Sequence, residues 1–142
     1  MRTMSLNHST YKLQYHLVWG TKYRYQWLKS YVLTELRNSF RQSLKKYPTL
    51  HILENNSDGD HVHIQIEIPP NVAICDAVAI LKRDSSIHLQ KKFKFIREMY
   101  LDKDGIWSVG YFVSSVGLNE EQIRKYIAWQ GKKEKPQKQR LF

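Results

Sequence analysis

His61 and His63 stand either side of Val62 in the stretch "DGDHVHIQIEIPP", Asp58 to Pro70. From Ile64 to Ile68 apolar and polar residues alternate, the pattern of a strand with one buried face. Side chains two apart on a strand point the same way, so both imidazoles can reach one ion in front of a sheet. Imidazole suits transition-metal ions, and two protein nitrogens with open positions beside them suit a phosphate substrate. A pair of surface histidines on a sheet edge reads identically, and a lone His-x-His does not separate the two. Further on, in "EEQIRKYIAWQ" (Glu120 to Gln130), Gln122, Tyr126 and Gln130 recur at four-residue steps and share one helical face. Ile123 and Ile127 sit beside that stripe and can anchor it to a core. Tyr126 is then either an amphipathic core residue with its hydroxyl at the rim, or a nucleophile with Gln130, one turn on, adding an amide oxygen to the metal.

These groups need a scaffold, and the chain supplies signals for one. "YKLQYHLVW" (Tyr11 to Trp19) alternates as a first strand, and "GTKYRYQWL" (Gly20 to Leu28) breaks the pattern as a loop. Val32, Leu33, Leu36, Phe40 and Leu44 recur at helical spacing before Pro48 ends the run. "LHIL" starts a second strand, "NNSDGD" marks a turn, and the histidine stretch is the third strand, ended by Pro69-Pro70. "CDAVAILKRDSSIHLQKKF" reads as a second helix, with Asn71 or Asp76 near its start, and "GIWSVGYFVSSVG" as a fourth strand. Asn119 is an N-cap candidate for the last helix, and Glu120 and Glu121 suit the positive end of its dipole. Strand, helix, strand, strand, helix, strand is the ferredoxin-like plan: an α+β fold with an antiparallel sheet and helices on one face, here followed by one more helix. That leaves the second face of the sheet open. Residues 1–131 read as one domain and 132–142 as a basic tail.

The chain has 142 residues, enough to bury a core without disulfides, and its single cysteine, Cys75, cannot bridge internally. No apolar run approaches a membrane span and the start lacks a signal peptide's apolar block, so a cytoplasmic home is expected. Twenty-three basic residues against 13 acidic ones leave a formal net charge of +10, which favours polyanions, nucleic acid first and an anionic membrane surface second. Nine tyrosines and four tryptophans add surfaces on which unstacked bases can lie.

"DHVHIQIEIPP", "WSVGYFVSSVG" and "EEQIRKYIAWQ" together resemble the single-tyrosine HUH transposases of the smallest bacterial and archaeal insertion sequences, HUH denoting His, a hydrophobic residue, His. "YHLVWGTKYR" is similar to that family's opening strand and loop, and the four motifs stand in the family's order from about Tyr11 to Gln130. The resemblance implies an enzyme that cuts and rejoins single-stranded DNA at imperfect hairpins. It implies that His61, His63 and Gln130 hold a divalent metal, Mg²⁺ or Mn²⁺. It also implies that Tyr126 attacks the phosphodiester, forming a 5′-phosphotyrosine link beside a free 3′-hydroxyl. A homodimer with active sites shared between subunits is implied too, the tyrosine helix being aimed through the link Val116 to Asn119, which contains Gly117.

A phosphotyrosine ester conserves the bond energy, so no nucleotide cofactor is expected, and no Walker loop occurs in the chain. Lys22, Tyr23 and Arg24 are candidates to hold a DNA backbone and stack a base, with Lys82, Arg83, Lys91 and Lys92 extending that surface. Lys82, Arg83, Lys91 and Lys92 are equally readable as solvated helix charges. Asp60 can orient His61 or simply serve the turn. His16, His51 and His88 read as surface or structural, and a zinc site of His61, His63 and Cys75 matches no common spacing. Two further readings stand beside the transposase. One is a domesticated relative that cuts repetitive genomic hairpins; the other is a non-catalytic single-stranded nucleic-acid-binding module using the open sheet. A phosphodiesterase with two histidine motifs would need paired His-x-Thr/Ser elements on one sheet, and the stretch at His61 and His63 is His-x-His instead.

Overall fold

Alternating apolar residues in three segments drive the assembly of one four-stranded antiparallel sheet. The computed structural model describes residues 4–6, 9–11, 13–101, 105–115 and 119–133. A short hairpin, β1 (Met4–Leu6) and β2 (Ser9–Tyr11), precedes the sheet and forms a two-stranded sheet of its own. The main sheet comprises β3 (Gln14–Gly20), β4 (His51–Asp58), β5 (His61–Glu67) and β6 (Phe112–Ser114), in the order β4-β5-β3-β6. Helices α1 (Ser30–Lys45) and α2 (Ile74–Lys92) connect its strands, and α3 (Lys94–Met99) and α4 (Glu120–Lys133) follow α2 and β6. Strand order and connectivity are those of the ferredoxin-like fold.

Leu17 and Trp19 of β3 and Val62, Ile64 and Ile66 of β5 are fully buried, in one core with Val32, Leu36 and Phe40 of α1 and Ala77, Val78, Leu81 and Leu89 of α2. Burying such side chains at about 1.5–3 kcal/mol each is the main force holding both helices to one face. Because alternate residues face opposite ways, His16 and Val18 of β3 and His61, His63 and Gln65 of β5 fall on the other face. Val18 opposes His63, and Gly20 opposes His61.

Three details depart from the pattern reading. The turn after the second strand is shorter than "NNSDGD": β4 continues through Asp58, leaving only Gly59 and Asp60, because Asn55 and Asn56 pair with Ile64 and His63. The fourth strand is only Phe112–Ser114, since Ile106, Trp107 and Ser108 are drawn into the core. Helix α3 and the first hairpin carry no clear periodic signal in segments so short. Residues 116–118, which include Gly117 and most of the proposed helix link, and residues 134–142 of the tail lie outside the described residues.

Candidate active site on the second sheet face

The two histidines reach their positions through pairing, with β5 held between β4 and β3. His61 Nδ1 donates to Asp60 Oδ1 over 2.8 Å, which leaves Nε2 as that ring's lone-pair nitrogen. The same bond holds the Asp60 carboxyl below its ordinary range, against the opposing effect of burial. Partial burial, with the neighbouring imidazoles His16 and His61 behind it, lowers the His63 pKa from its ordinary 6.5, so a neutral imidazole is favoured. A neutral ring is what a metal ion requires of histidine. Among the described residues no three His, Cys, Asp or Glu side chains converge as a ready-made metal cage, so two imidazoles need further donors from an amide, water or substrate.

Both histidines line a cleft of about 520 Å³ between the β4–β5 hairpin and α4. Its floor carries Asn56, Asp58 and Asp60, and α4 contributes Glu120, Ile123, Arg124 and Ile127. These four helix residues are spaced as one helical face. At the helix start Asn119 Oδ1 accepts from the Gln122 amide at 2.8 Å while Gln122 Oε1 accepts from the Asn119 amide at 3.1 Å. The expected N-cap is thus a reciprocal capping box, and it uses Gln122.

Tyr126 and Gln130 are on α4 but turned from the cleft's centre. The Tyr126 ring packs against Phe112 and Trp129, with centroids 5.6 and 6.2 Å away. Its hydroxyl lies toward Gly110, whose positive φ of 89° favours glycine. Gln130 is 3 % exposed; its Nε2 donates to the Val109 carbonyl at 2.6 Å, and its Oε1 accepts from Arg24 Nη2 at 2.9 Å. Ile127 is buried alongside, and Ile123 lines the cleft.

Arg24 is therefore turned inward. It also donates to the carbonyls of Ile127 (3.2 Å) and Thr21 (2.7 Å) and to Ser108 Oγ (3.2 Å). Tyr23 and Arg24 both have φ near +60°, a region costly for residues with a Cβ, by roughly 1–2 kcal/mol each. The turn that contains them also packs the Tyr23 ring, tilted, near Tyr25 and Tyr100, while the Lys22 carbonyl accepts from the Tyr100 hydroxyl at 2.7 Å. Gly20 makes room for this arrangement, since a Cβ there would overlap the Arg24 guanidinium.

The α2 candidates divide. Lys82 donates to the carbonyls of Ser108 (2.7 Å) and Gly110 (2.6 Å) and lies over the Trp19 ring. Arg83, paired with Asp84, and Lys91 and Lys92 lie on the helical layer, across the sheet from the histidines. One group that reads as surface or structural in the sequence belongs here instead: His16, whose Nδ1 lies 3.2 Å from His63 Nε2. The alternation that buries Leu17 and Trp19 is the signal for it.

A family model described as "Transposase IS200 like" matches residues 9–130. The transposase for insertion sequence element IS200 of Salmonella typhimurium is 32% identical over 134 residues, covering 92% of this chain and 85% of that protein. The ISDra2 transposase TnpA of Deinococcus radiodurans is 33% identical over 125 residues, covering 87% and 88%. Among solved structures, one assigned to a transposase of Deinococcus radiodurans R1 superposes with a TM-score of 0.77 at 28% identity, covering 89% of this chain and 97% of that one. A REP-associated tyrosine transposase bound to a REP hairpin shares the fold, with a TM-score of 0.54 at 14% identity, covering 87% and 68%. No helix among the described residues is long and apolar enough to cross a membrane.

Proposed function

Since the chain belongs to the IS200-like transposase family, we propose that it cleaves and rejoins single-stranded DNA at hairpin-marked ends through a covalent link to Tyr126. The observation that carries this reading is the cleft in which His61 and His63 face the α4 helix that bears Tyr126. Hairpin binding by a structural neighbour of the same fold supports a hairpin substrate, and the net charge of +10 supports a polyanion.

In the proposed reaction the Tyr126 hydroxyl oxygen attacks the scissile phosphorus and gives its proton to solvent. The bond from phosphorus to the 3′ oxygen breaks, and that oxygen takes up a proton as a free 3′-hydroxyl. The 5′-phosphate stays esterified to Tyr126, and attack by a 3′-hydroxyl reverses the step without a nucleotide cofactor. Forming phenolate from a group of pKa near 10 costs about 4 kcal/mol at pH 7, so the site needs electrostatic help. His61, through Nε2, and His63 would hold a divalent Mg²⁺ or Mn²⁺ ion, whose positive charge would offset charge building on the phosphate. Asp60 keeps the His61 ring and tautomer fixed. Gln130 would add its amide oxygen to the ion by exchanging the bond it now accepts from Arg24.

The active unit is proposed to be a homodimer in which each Tyr126 serves its partner's histidines. Two observations support this: Tyr126 packs against Phe112 and Trp129 instead of lining its own chain's cleft, and large apolar side chains stand exposed on Trp129 and on Val109, next to the Gly110 that its hydroxyl approaches. Val109 is 85% exposed and Trp129 56%. A second copy would cover them.

The test is a labelled single-stranded hairpin oligonucleotide incubated with the full chain and separated under denaturing conditions. A protein–DNA adduct is expected with Mn²⁺ or Mg²⁺, none with EDTA, and none from Tyr126→Phe, which should still bind the hairpin. An adduct from Tyr126→Phe would remove the nucleophile assignment, and equal yield with and without chelator would remove the metal.

A further inference from the structure

We infer that His16 is a positioning residue for the metal site, fixing the rotation and tautomer of the His63 ring; the inference rests on the proposed role of His63 as a ligand. His16 Nδ1 and His63 Nε2 are 3.2 Å apart, and the rings lie 5.4 Å apart between centroids at 40°. Two imidazole nitrogens at that separation share one proton: one ring donates and the other accepts. If His16 donates, the His63 Nε2 lone pair is occupied and the proton on Nδ1 leaves that ring no free nitrogen for a metal. If His63 donates from Nε2, its Nδ1 keeps the lone pair. Only the second arrangement leaves His63 a ligand while the bond to His16 persists.

The two metal histidines are then held in matching ways. His61 gives its Nδ1 proton to Asp60 and presents Nε2; His63 gives its Nε2 proton to His16 and presents Nδ1. Both rings are partly exposed at the cleft, where an untethered imidazole would sample several rotations. The tether itself sits on a rigid element. His16 lies in β3 between fully buried Leu17 and half-buried Tyr15, and β3 pairs with β5 on one side and β6 on the other. Along the same face Gln14 accepts from Gln65 at 3.3 Å and donates to Glu67 at 3.2 Å, so a polar ladder backs the histidines. Partners of this kind raise metal affinity by orienting the ligand, and losing one typically costs 10–100-fold.

The experiment is calorimetric titration of the DNA-free full chain with Mn²⁺ alone, together with ¹⁵N spectra of its labelled histidines. His16→Ala should raise the Kd for Mn²⁺ at least about tenfold. It should also turn a single His63 tautomer, protonated on Nε2, into a mixture. His16→Asn, whose side-chain amide can stand near the Nδ1 position and accept a proton, should recover most of the affinity; it also serves if the alanine variant folds poorly. An affinity for Mn²⁺ within twofold of the unsubstituted chain in His16→Ala would overturn the inference. So would an asparagine variant no better than alanine, or His63 protonated on Nδ1. If the unsubstituted chain takes up no Mn²⁺, the metal reading falls and the inference with it; uptake unaffected by His16 sinks the inference alone.

Discussion

Arg24 Nη2 donates to Gln130 Oε1 over 2.9 Å, joining residues 106 apart in the chain. The bond ties the loop after β3 to the last turns of α4, and Arg24 Nε adds a second tie at the Ile127 carbonyl. A single loop guanidinium thus holds the helix that bears Tyr126 at two points. The same guanidinium occupies the amide oxygen that the proposed metal site would draw on.

Arg24→Ala should therefore loosen α4. It would leave the buried Gln130 oxygen and the Ile127 carbonyl without this donor, at a cost of about 1–3 kcal/mol. Amide exchange across 120–133 should speed up while exchange in α1 and β5 stays slow. Arg24→Lys should restore little, because an ammonium group cannot reproduce the planar fork. Unchanged exchange in α4 would show that the helix is held by its apolar face alone.

The His63 pKa lies below the ordinary 6.5 because burial and the neighbouring imidazoles disfavour the charged ring. The folded state thus binds the proton less readily than the unfolded chain does. His63 contributes stability that is fully present above pH 6.5 and lost as pH falls through its lowered folded value. Spectra of the metal-free protein should give a His63 midpoint under 6.5, and cleavage should persist to that pH. A midpoint at or above 6.5 would contradict the burial argument.

Arg83, Lys91 and Lys92 are separated from the histidines by the sheet. Replacing Lys91 and Lys92 with alanine should weaken hairpin binding and make it less sensitive to salt. The slope of log affinity against log salt should fall by up to about one for each phosphate that a lysine no longer neutralises. The yield of adduct at saturating DNA should be unaltered. Slower cleavage at saturation would mean that the helical layer communicates with the cleft.

Much of this architecture is legible in the chain itself. Strict alternation places Val62, Ile64 and Ile66 in the core and the histidines opposite, because period two leaves no other option. Asn119 announces the start of α4 through its capping chemistry. What stays hidden is long-range pairing. Nothing near Arg24 in the chain signals a contact with Gln130, and positive φ at Tyr23 and Arg24 is written in no local motif. Likewise, Lys82 reads as a solvated helix charge until Ser108 and Gly110 present their carbonyls to it.

Subunit mixing tests most directly the proposed action of Tyr126 of one chain at His61 and His63 of another. His63→Ala and Tyr126→Phe proteins, each inactive alone, are allowed to exchange, and exchange is verified with differently tagged chains. A mixed twofold dimer then holds one site with both intact histidines and an intact tyrosine. With random exchange about half the dimers are mixed, so roughly a quarter of all sites should form adduct. If the mixture stays inactive after verified exchange, each chain builds its own site and the shared arrangement is wrong.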